Sequence, residues 1–336
     1  MKNILYIGNQ LSESGKTDTT IKTLSEALRQ EGFTVYAVSD IKNKVFRLAH
    51  MLLAIIKYAK KVDCVLIDTY STSNFYFAYL SSQLCRLFNL KYIPILHGGN
   101  LPKRLKNSSK LSKFIFKNAY INVAPSAFIQ HEFEKYGFSN LVYIPNSIHL
   151  KNYPFKQRNH NNINLLWVRS FSEIYNPLLA MDILKQLLDE GIKTTLCMVG
   201  PDNDGSLLKA KDYAKALQVE VIFTGKLSKD AWIELSQNYN MFINTTNFDN
   251  MPVSVIEAMA LGLPIVSTNV GGMPFLVEHN HEGILVEPNN ADEFVEAIKK
   301  VFYNQEIARN LTLNARKKVE HYDWELVKKQ WLSLLQ

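Results

Sequence analysis

Short apolar runs rich in β-branched residues alternate with longer amphipathic segments along the whole chain. Such runs are typical of parallel strands buried on both faces, and the longer segments are typical of crossover helices. The alternation therefore predicts an α/β protein with doubly wound parallel sheets. Strands are predicted at Asn3–Ile7, Thr34–Val38, Cys64–Ile67, Tyr92–Leu96, Tyr120–Val123, Val142–Ile144, Asn164–Val168, Thr194–Val199, Val221–Phe223, Met241–Asn244, Pro264–Ser267 and Gly283–Val286.

A polar stretch at residues 156–162 interrupts this rhythm. The length of 336 residues suits two domains of about 150–170 residues each. We expect a first domain over residues 1–155 and a second over residues 156–320. Residues 321–336 are expected to form a helix that could pack back on the first domain.

Composition narrows the class of protein. The chain is 47% hydrophobic and 21% charged, as is usual for folded globular proteins. Its apolar runs are shorter than the roughly 18–20 residues that a membrane-spanning helix needs, and the N-terminus is interrupted too soon for a signal peptide. Cys64, Cys85 and Cys197 are odd in number and lie in apolar surroundings, which predicts buried reduced thiols and a cytoplasmic protein.

Charge is divided unevenly between the two halves. Residues 1–160 contain 22 Lys and Arg against 9 Asp and Glu, whereas residues 161–336 contain 16 against 22. The basic half suggests an anionic partner, namely a membrane surface, a nucleic acid or an acidic substrate, or else a basic face exposed to solvent.

The most informative segment is Asn247–Gly272. Asp249 or Asn250 is expected to cap a helix with Pro252 near its first turn. Free N–H groups at such a helix start favour an anion or sugar hydroxyls. The candidate ligand-binding residues here are Asp249, Asn250, Met251, Pro252 and Val253.

Two further features of this segment suit ligand binding. Glu257 lies one to two turns into the expected helix, where its carboxylate can accept hydrogen bonds from two ribose hydroxyls. Gly271 and Gly272 follow the next strand, and glycine lets a ligand approach the backbone closely.

The segment resembles the retaining, GT-B-fold glycosyltransferases of family 4, also called glycosyl transferases group 1. Their hallmark is Glu-x7-Glu, followed by Ala-Met-Ala-x-Gly-x-Pro and a Gly-Gly pair. This chain has Asp249, seven residues, Glu257, the run Ala258–Pro264 and then Gly271 and Gly272. The resemblance implies the GT-B fold, two Rossmann-like domains facing across a cleft. It also implies that Glu257 holds the nucleotide ribose and that Asp249 contacts the donor sugar.

A second match surrounds Arg169. In the family a strand ends in Gly-Arg and a Lys follows six residues later, and the two cations neutralise the donor diphosphate. Here Arg169 matches the arginine, whereas Tyr175 stands at the lysine position. Lys16 and Lys226 are candidate replacements, and the alternative for each is a solvated surface lysine.

Weaker matches follow the same order along the chain. Gly200 closes a strand, and Gly225, Lys226 and Leu227 match the place where the family seats the nucleotide base. His97 follows a strand of the first half, where the family often places a sugar-contacting histidine. A structural histidine at a strand end is the alternative.

The first loop contains Gly15-Lys16-Thr17. A phosphate-binding P-loop would need glycine at position 10, where Gln10 stands, so an NTPase is disfavoured. By resemblance, Gly15 could offer its amide to the distal phosphate of a donor.

The resemblance implies a retaining hexosyl- or N-acetylhexosaminyltransferase in polysaccharide biosynthesis, with no cofactor and no obligatory metal. We expect a nucleotide-sugar donor, UDP being the family's commonest nucleotide, and a polysaccharide or lipid-linked saccharide acceptor. His97, Arg169 and Asp249 are the candidate catalytic residues. The alternatives are a sugar-nucleotide epimerase on the same fold and an inactive nucleotide-sugar-binding protein.

Residues 103–117 contain five lysines at spacings of three and four, which a helix would place on one face. These are Lys103, Lys106, Lys110, Lys113 and Lys117. A basic amphipathic helix suits an anionic membrane surface, so peripheral attachment to the inner face of the membrane is expected. Nucleic-acid binding is not expected, because no recognition motif accompanies the basic residues.

Overall fold

The computed structural model describes residues 2–10, 20–158 and 161–336. It divides into two compact units, one formed by Met1–Pro145 with Gln330–Gln336 and the other by Asn146–Lys329. Each unit contains a six-stranded sheet. All neighbouring strands in both sheets are parallel, because helical crossovers connect them.

The first unit is built on strands in the order β2-β1-β3-β4-β5-β6. Helices cover the sheet, and buried side chains such as Ile7, Val65 and Phe116 form its core. The elements are β1 (Asn3–Ile7), α1 (Thr20–Gln30), β2 (Thr34–Val38), α2 (Lys44–Tyr58), β3 (Cys64–Thr69), α3 (Asn74–Leu87), β4 (Lys91–Leu96), α4 (Leu101–Asn107), α5 (Ser109–Phe116), β5 (Asn122–Ala124), α6 (Ala127–Lys135) and β6 (Leu141–Tyr143).

The second unit has the strand order β12-β11-β10-β7-β8-β9. Ile148 and Tyr153 pack into its core, which explains why this unit begins at Asn146 and includes the polar stretch that follows. Its elements are β7 (Ile163–Val168), α7 (Pro177–Asp189), β8 (Thr194–Val199), α8 (Ser206–Ala216), β9 (Val221–Gly225), α9 (Lys229–Leu235), β10 (Met241–Asn244), α10 (Val253–Ala260), β11 (Ile265–Thr268), α11 (Met273–Leu276), β12 (Ile284–Val286), α12 (Ala291–Tyr303) and α13 (Gln305–Glu320). The last helix, α14 (Trp324–Leu335), belongs to the second unit up to Lys329 and to the first from Gln330.

The predicted fold class is confirmed, and every predicted strand is present within two residues of its expected bounds. The prediction of one helix over residues 103–117 is wrong, because α4 ends at Asn107 and α5 begins at Ser109. Asn107, Ser108 and Ser109 are poor interior helix residues whose side chains compete for backbone hydrogen bonds. Lys103 and Lys106 therefore lie on α4, Lys110 and Lys113 lie on α5, and Lys117 follows α5, so the five lysines are not aligned on one helix.

All three cysteines lie in the interior of the protein. Cys64, Cys85 and Cys197 are buried and unpaired, and burial raises the pKa of Cys64 to about 11 and that of Cys85 to about 12. These thiols are therefore protonated near neutral pH. Among the helices that the structure describes, none combines the length and the apolar character needed to cross a bilayer.

Candidate functional site

The predicted donor-binding residues of the second unit follow the ends of neighbouring strands. β10, β7, β8 and β9 are adjacent in the sheet, so their carboxyl ends form one continuous edge. Arg169 follows β7, Gly200 follows β8, Gly225 ends β9, and Lys226 and Leu227 come next along the chain. The carboxyl edge of a doubly wound sheet is where such proteins bind ligands.

The loop between β10 and α10 lies against the Gly-Gly pair that follows β11. The Gly272 N–H donates to the Asp249 carbonyl oxygen at 2.9 Å. A Cβ atom on Gly272 would lie 1.7 Å from the Asn250 carbonyl oxygen, so only glycine fits. Gly271 and Gly272 therefore hold the loop that carries Asp249 in place.

Arg169 and Asp249 form an ion pair through Arg169 Nη2 and Asp249 Oδ2. Both side chains are largely buried, with 14% and 13% of their surface exposed. Asp249 Oδ1 also accepts a hydrogen bond of 2.8 Å from the Asn250 N–H. The Arg169 guanidinium carbon lies 4.0 Å from the centre of the Tyr175 ring. The structure thus brings together two predicted site residues and places Tyr175 against them.

Burial raises the pKa of the Asp249 carboxyl, and the opposing effects of Arg169 and the Asn250 N–H do not fully offset it. Arg169 Nε is also buried without an acceptor among the residues that the structure describes. A buried ion pair with a perturbed pKa and an unpaired N–H group is typical of ligand sites, where the ligand supplies the hydrogen-bond acceptor.

Glu257 lies on α10 and is 2% exposed. Its Oε1 accepts a hydrogen bond of 2.7 Å from the Tyr153 hydroxyl and also contacts Lys229 Nζ. Burial and the nearby Glu257 raise the pKa of Tyr153, so this hydroxyl remains a donor. Lys229 is half exposed, whereas Glu257 is almost fully buried, and the lysine therefore reaches the carboxylate from the solvent side.

The remaining donor-binding predictions concern the start of α10 and the first loop. The helix begins at Val253 with Pro252 as its N-cap, so the prediction that Asp249 or Asn250 caps it is wrong. Asn250 and Met251 are buried in the preceding loop, where the Met251 carbonyl accepts a hydrogen bond of 3.2 Å from Asn146 Nδ2. Gly15 and Lys16 lie outside the described residues.

His97 lies at the carboxyl end of β4 in the first unit. Its Nε2 is 3.0 Å from Asp68 Oδ1, and the side chains are 8% and 1% exposed. Tyr6 donates from its hydroxyl to the same oxygen at 2.8 Å, and the Tyr70 ring lies 5.5 Å from the imidazole. His97 is therefore part of a buried polar cluster rather than an isolated side chain.

Sequence reasoning missed several of these residues. Asp68 carries a recognisable signal, because an acidic residue near the end of an otherwise apolar strand needs a partner when buried. Tyr153 and Lys229 carry no such signal, since they reach Glu257 from 104 and 28 residues away in sequence.

Glu278, His281 and Glu282 place potential metal-ligand atoms within 4.8 Å of one another. Glu282 already accepts from Lys318 at 3.2 Å and from the Glu278 N–H at 2.6 Å. The carboxylate is thus held by groups of the chain itself, and it lies on a different segment from the predicted site residues.

Two parallel six-stranded sheets with flanking helices, carrying polar residues along their carboxyl edges, define the GT-B class. The structure is similar to sucrose-phosphate synthase from Thermosynechococcus elongatus, with a TM-score of 0.84 and 18% identity over 99% of this chain and 98% of that one. It is also similar to HepE from Anabaena in complex with UDP-glucose, with a TM-score of 0.78 and 17% identity over 100% and 99%.

Residues 151–318 match the family model described as glycosyl transferases group 1. The chain belongs to this family. It is also 30% identical over 208 residues to an uncharacterised glycosyltransferase of Haemophilus influenzae, which covers 60% of this chain and 57% of that protein. The matched segments span 28% and 57% of the first two curated relatives, about half their length or less.

Proposed function

We propose that the protein is a retaining glycosyltransferase that transfers a hexosyl or N-acetylhexosaminyl group from a UDP-sugar to a polysaccharide or lipid-linked saccharide. The observation that carries the proposal is the buried Glu257 carboxylate on the same unit as the Arg169–Asp249 pair. Family membership and the similarity to a UDP-glucose complex support the donor class.

The second unit holds the donor in this proposal. Glu257 accepts hydrogen bonds from the two ribose hydroxyls, and the backbone around Gly225, Lys226 and Leu227 contacts the base. Arg169 grips the diphosphate, because a guanidinium can donate two parallel hydrogen bonds to phosphate oxygens. Asp249 accepts from hydroxyls of the transferred sugar.

Bond cleavage releases a nucleoside diphosphate whose negative charge grows in the transition state. Arg169 and the free N–H groups at the start of α10 stabilise this charge, so no metal is required. The leaving phosphate accepts the proton of the attacking hydroxyl on the same face of the sugar, which gives retention. His97 contacts a sugar hydroxyl.

The reaction takes place at a membrane surface in this proposal. Lys103, Lys106, Lys110, Lys113 and Lys117 are exposed. We assign them to a peripheral contact with an anionic membrane surface on its cytoplasmic side, where a lipid-linked acceptor would be found.

The test is a screen of UDP-, GDP- and ADP-sugars by thermal shift and by donor hydrolysis, with Glu257→Gln compared with wild type. A hydrogen bond to a charged group contributes about 1.5–3 kcal/mol, so the substitution should weaken donor binding about 10- to 100-fold. UDP-sugars should raise the melting temperature and be hydrolysed slowly.

The matched control is Glu234→Gln, an exposed carboxylate on α9 of the same unit. It should bind the donor as wild type does. Equal donor binding by Glu257→Gln and wild type would overturn the ribose assignment. Donor binding without any hydrolysis or transfer would instead favour an inactive nucleotide-sugar-binding protein.

A further inference from the structure

His97 is backed by a buried cluster that the sequence motifs do not include. Asp68 lies in the carboxyl-terminal half of β3, next to β4 in the sheet. The carboxylate is 1% exposed, and Tyr6 beneath it is fully buried. A buried charge is costly unless hydrogen bonds compensate it, so this arrangement needs a reason beyond packing.

Within the described part of the chain, one carboxylate oxygen accepts the compensating hydrogen bonds. Asp68 Oδ1 lies 2.8 Å from the Tyr6 hydroxyl and 3.0 Å from His97 Nε2. Burial and the adjacent Asp68 raise the pKa of Tyr6 well above its usual value, so the tyrosine keeps its proton and donates it. Asp68 Oδ2 is buried without a partner among residues 2–10, 20–158 and 161–336.

Gly8 leaves room for the Asp68 carboxylate. A Cβ atom on Gly8 would lie 2.4 Å from Asp68 Oδ2, so glycine at the end of β1 lets the acidic side chain approach. The Tyr70 ring lies 5.5 Å from the imidazole and tilted by 30°. Asp68 thus contacts one edge of the histidine ring, and Tyr70 lies beside the ring.

The hydrogen bond also decides which ring nitrogen carries the proton. A carboxylate can only accept, so Nε2 must donate to it. The bond at one ring nitrogen sets the role of the other, and Nδ1 of a neutral His97 is then an acceptor. A hydroxyl that contacts Nδ1 must donate its hydrogen.

We propose that Asp68 is a positioning residue for His97, holding the proton on Nε2 so that Nδ1 accepts a hydrogen bond from a substrate hydroxyl. The proposal rests on the proposed sugar-transfer function. Asp68 acts only through the imidazole, and Tyr6 supports it by occupying the second acceptor site of Oδ1.

The experiment is a double-mutant cycle on donor hydrolysis or transfer with His97→Ala, Asp68→Asn and their combination. An asparagine beside a histidine can preserve geometry while selecting the wrong tautomer. We expect kcat to fall about 10- to 100-fold in Asp68→Asn, as for residues that orient metal-bound histidines. On the His97→Ala background the same change should alter kcat by no more than about twofold, because the two residues act as one unit.

Asp63→Asn is the matched control, since Asp63 is exposed just before the same strand and accepts a hydrogen bond from the Asn3 N–H at 2.7 Å. It should leave kcat unchanged. Tyr6→Phe keeps the buried ring and removes one hydrogen bond to Asp68, and it should lower kcat by less than Asp68→Asn does. It also provides a test if Asp68→Asn fails to fold.

A second readout does not depend on catalysis. In ¹⁵N-histidine-labelled protein, long-range ¹H–¹⁵N spectra should show the His97 proton on Nε2 in wild type and a changed tautomer in Asp68→Asn. Equal tautomers in the two proteins, or additive losses of kcat in the cycle, would overturn the proposal. If wild-type protein shows the predicted tautomer but no activity, the proposed sugar transfer is contradicted and the role of Asp68 in holding the His97 tautomer is not.

Discussion

At the scale of single residues, Tyr175 has an unexpected place. The family has a lysine at this position, whereas here the centre of the Tyr175 ring lies 4.0 Å from the Arg169 guanidinium carbon. The ring therefore supports Arg169 instead of adding a second cation at this position. Aromatic faces attract guanidinium groups by about 0.5–2 kcal/mol, depending on burial.

This contact predicts different outcomes for two substitutions. Tyr175→Phe keeps the ring and should bind UDP-sugar almost as wild type does. Tyr175→Ala removes the ring and should weaken binding about 2- to 30-fold, the range that corresponds to a cation–π contact. Isothermal titration with the donor identified in the screen measures both, and equal losses in the two variants would show that the hydroxyl matters instead.

Site residues could be predicted where a polar side chain directly follows a strand or belongs to a motif of fixed spacing. Arg169, Asp249 and Glu257 were identified in this way, and the structure places the first two in contact. Tyr153 and Lys229 could not be identified, because their contacts with Glu257 depend on the path of the chain between distant elements. The roles themselves remain predictions.

At the scale of elements, the start of α10 depends on two loops that pack backbone against backbone. Gly272 approaches the Asn250 carbonyl so closely that an added Cβ would overlap it at 1.7 Å. Because a carbonyl in the main chain cannot turn aside as a side chain can, the loop bearing Asp249 would have to move.

We therefore expect Gly272→Ala to lower the melting temperature and to abolish donor stabilisation. Gly191→Ala is the control, because its backbone has φ +76° but nothing lies within 4 Å of the added Cβ. The free energy of unfolding of this control should fall only by the cost of placing alanine in the left-handed conformation, about 1–2 kcal/mol, and donor binding should be kept. Thermal unfolding with and without UDP-sugar distinguishes the two, and normal donor binding by Gly272→Ala would contradict the expectation.

The bounds of buried strands could be predicted from the sequence, whereas the break between α4 and α5 could not. Strands buried on both faces are mostly apolar, so β1 and β10 have the predicted bounds. The break at Ser108 was missed, because the regular spacing of the lysines gives no information about local competition for backbone hydrogen bonds.

At the scale of the whole molecule, positive charge is concentrated in the first 160 residues. α5 carries exposed lysines together with Phe114, which is 48% exposed. The combination suits an interfacial contact, in which cations meet anionic headgroups and an aromatic side chain enters the boundary region.

Replacing Lys106, Lys110 and Lys113 by glutamine should weaken binding to phosphatidylserine-containing vesicles. Each lysine near such a surface contributes about 1 kcal/mol, so each loss should lower the partition coefficient about fivefold. Lys185, Lys209 and Lys215 replaced by glutamine give the same change in net charge in the second unit. Cosedimentation should distinguish the two triple variants, and equal effects would show that overall charge alone governs binding.

Helix α14 passes from one unit to the other, since Lys329 belongs to the second and Gln330 to the first. Trp331 and Leu335 are buried, and Lys2 Nζ donates to the Gln336 backbone oxygen. During translation, the second unit thus has its sequence complete while the first still lacks its final segment. The unit whose synthesis begins first is therefore the last to be completed. Loss of residues 330–336 would destabilise the first unit, although most of that unit lies at the other end of the sequence.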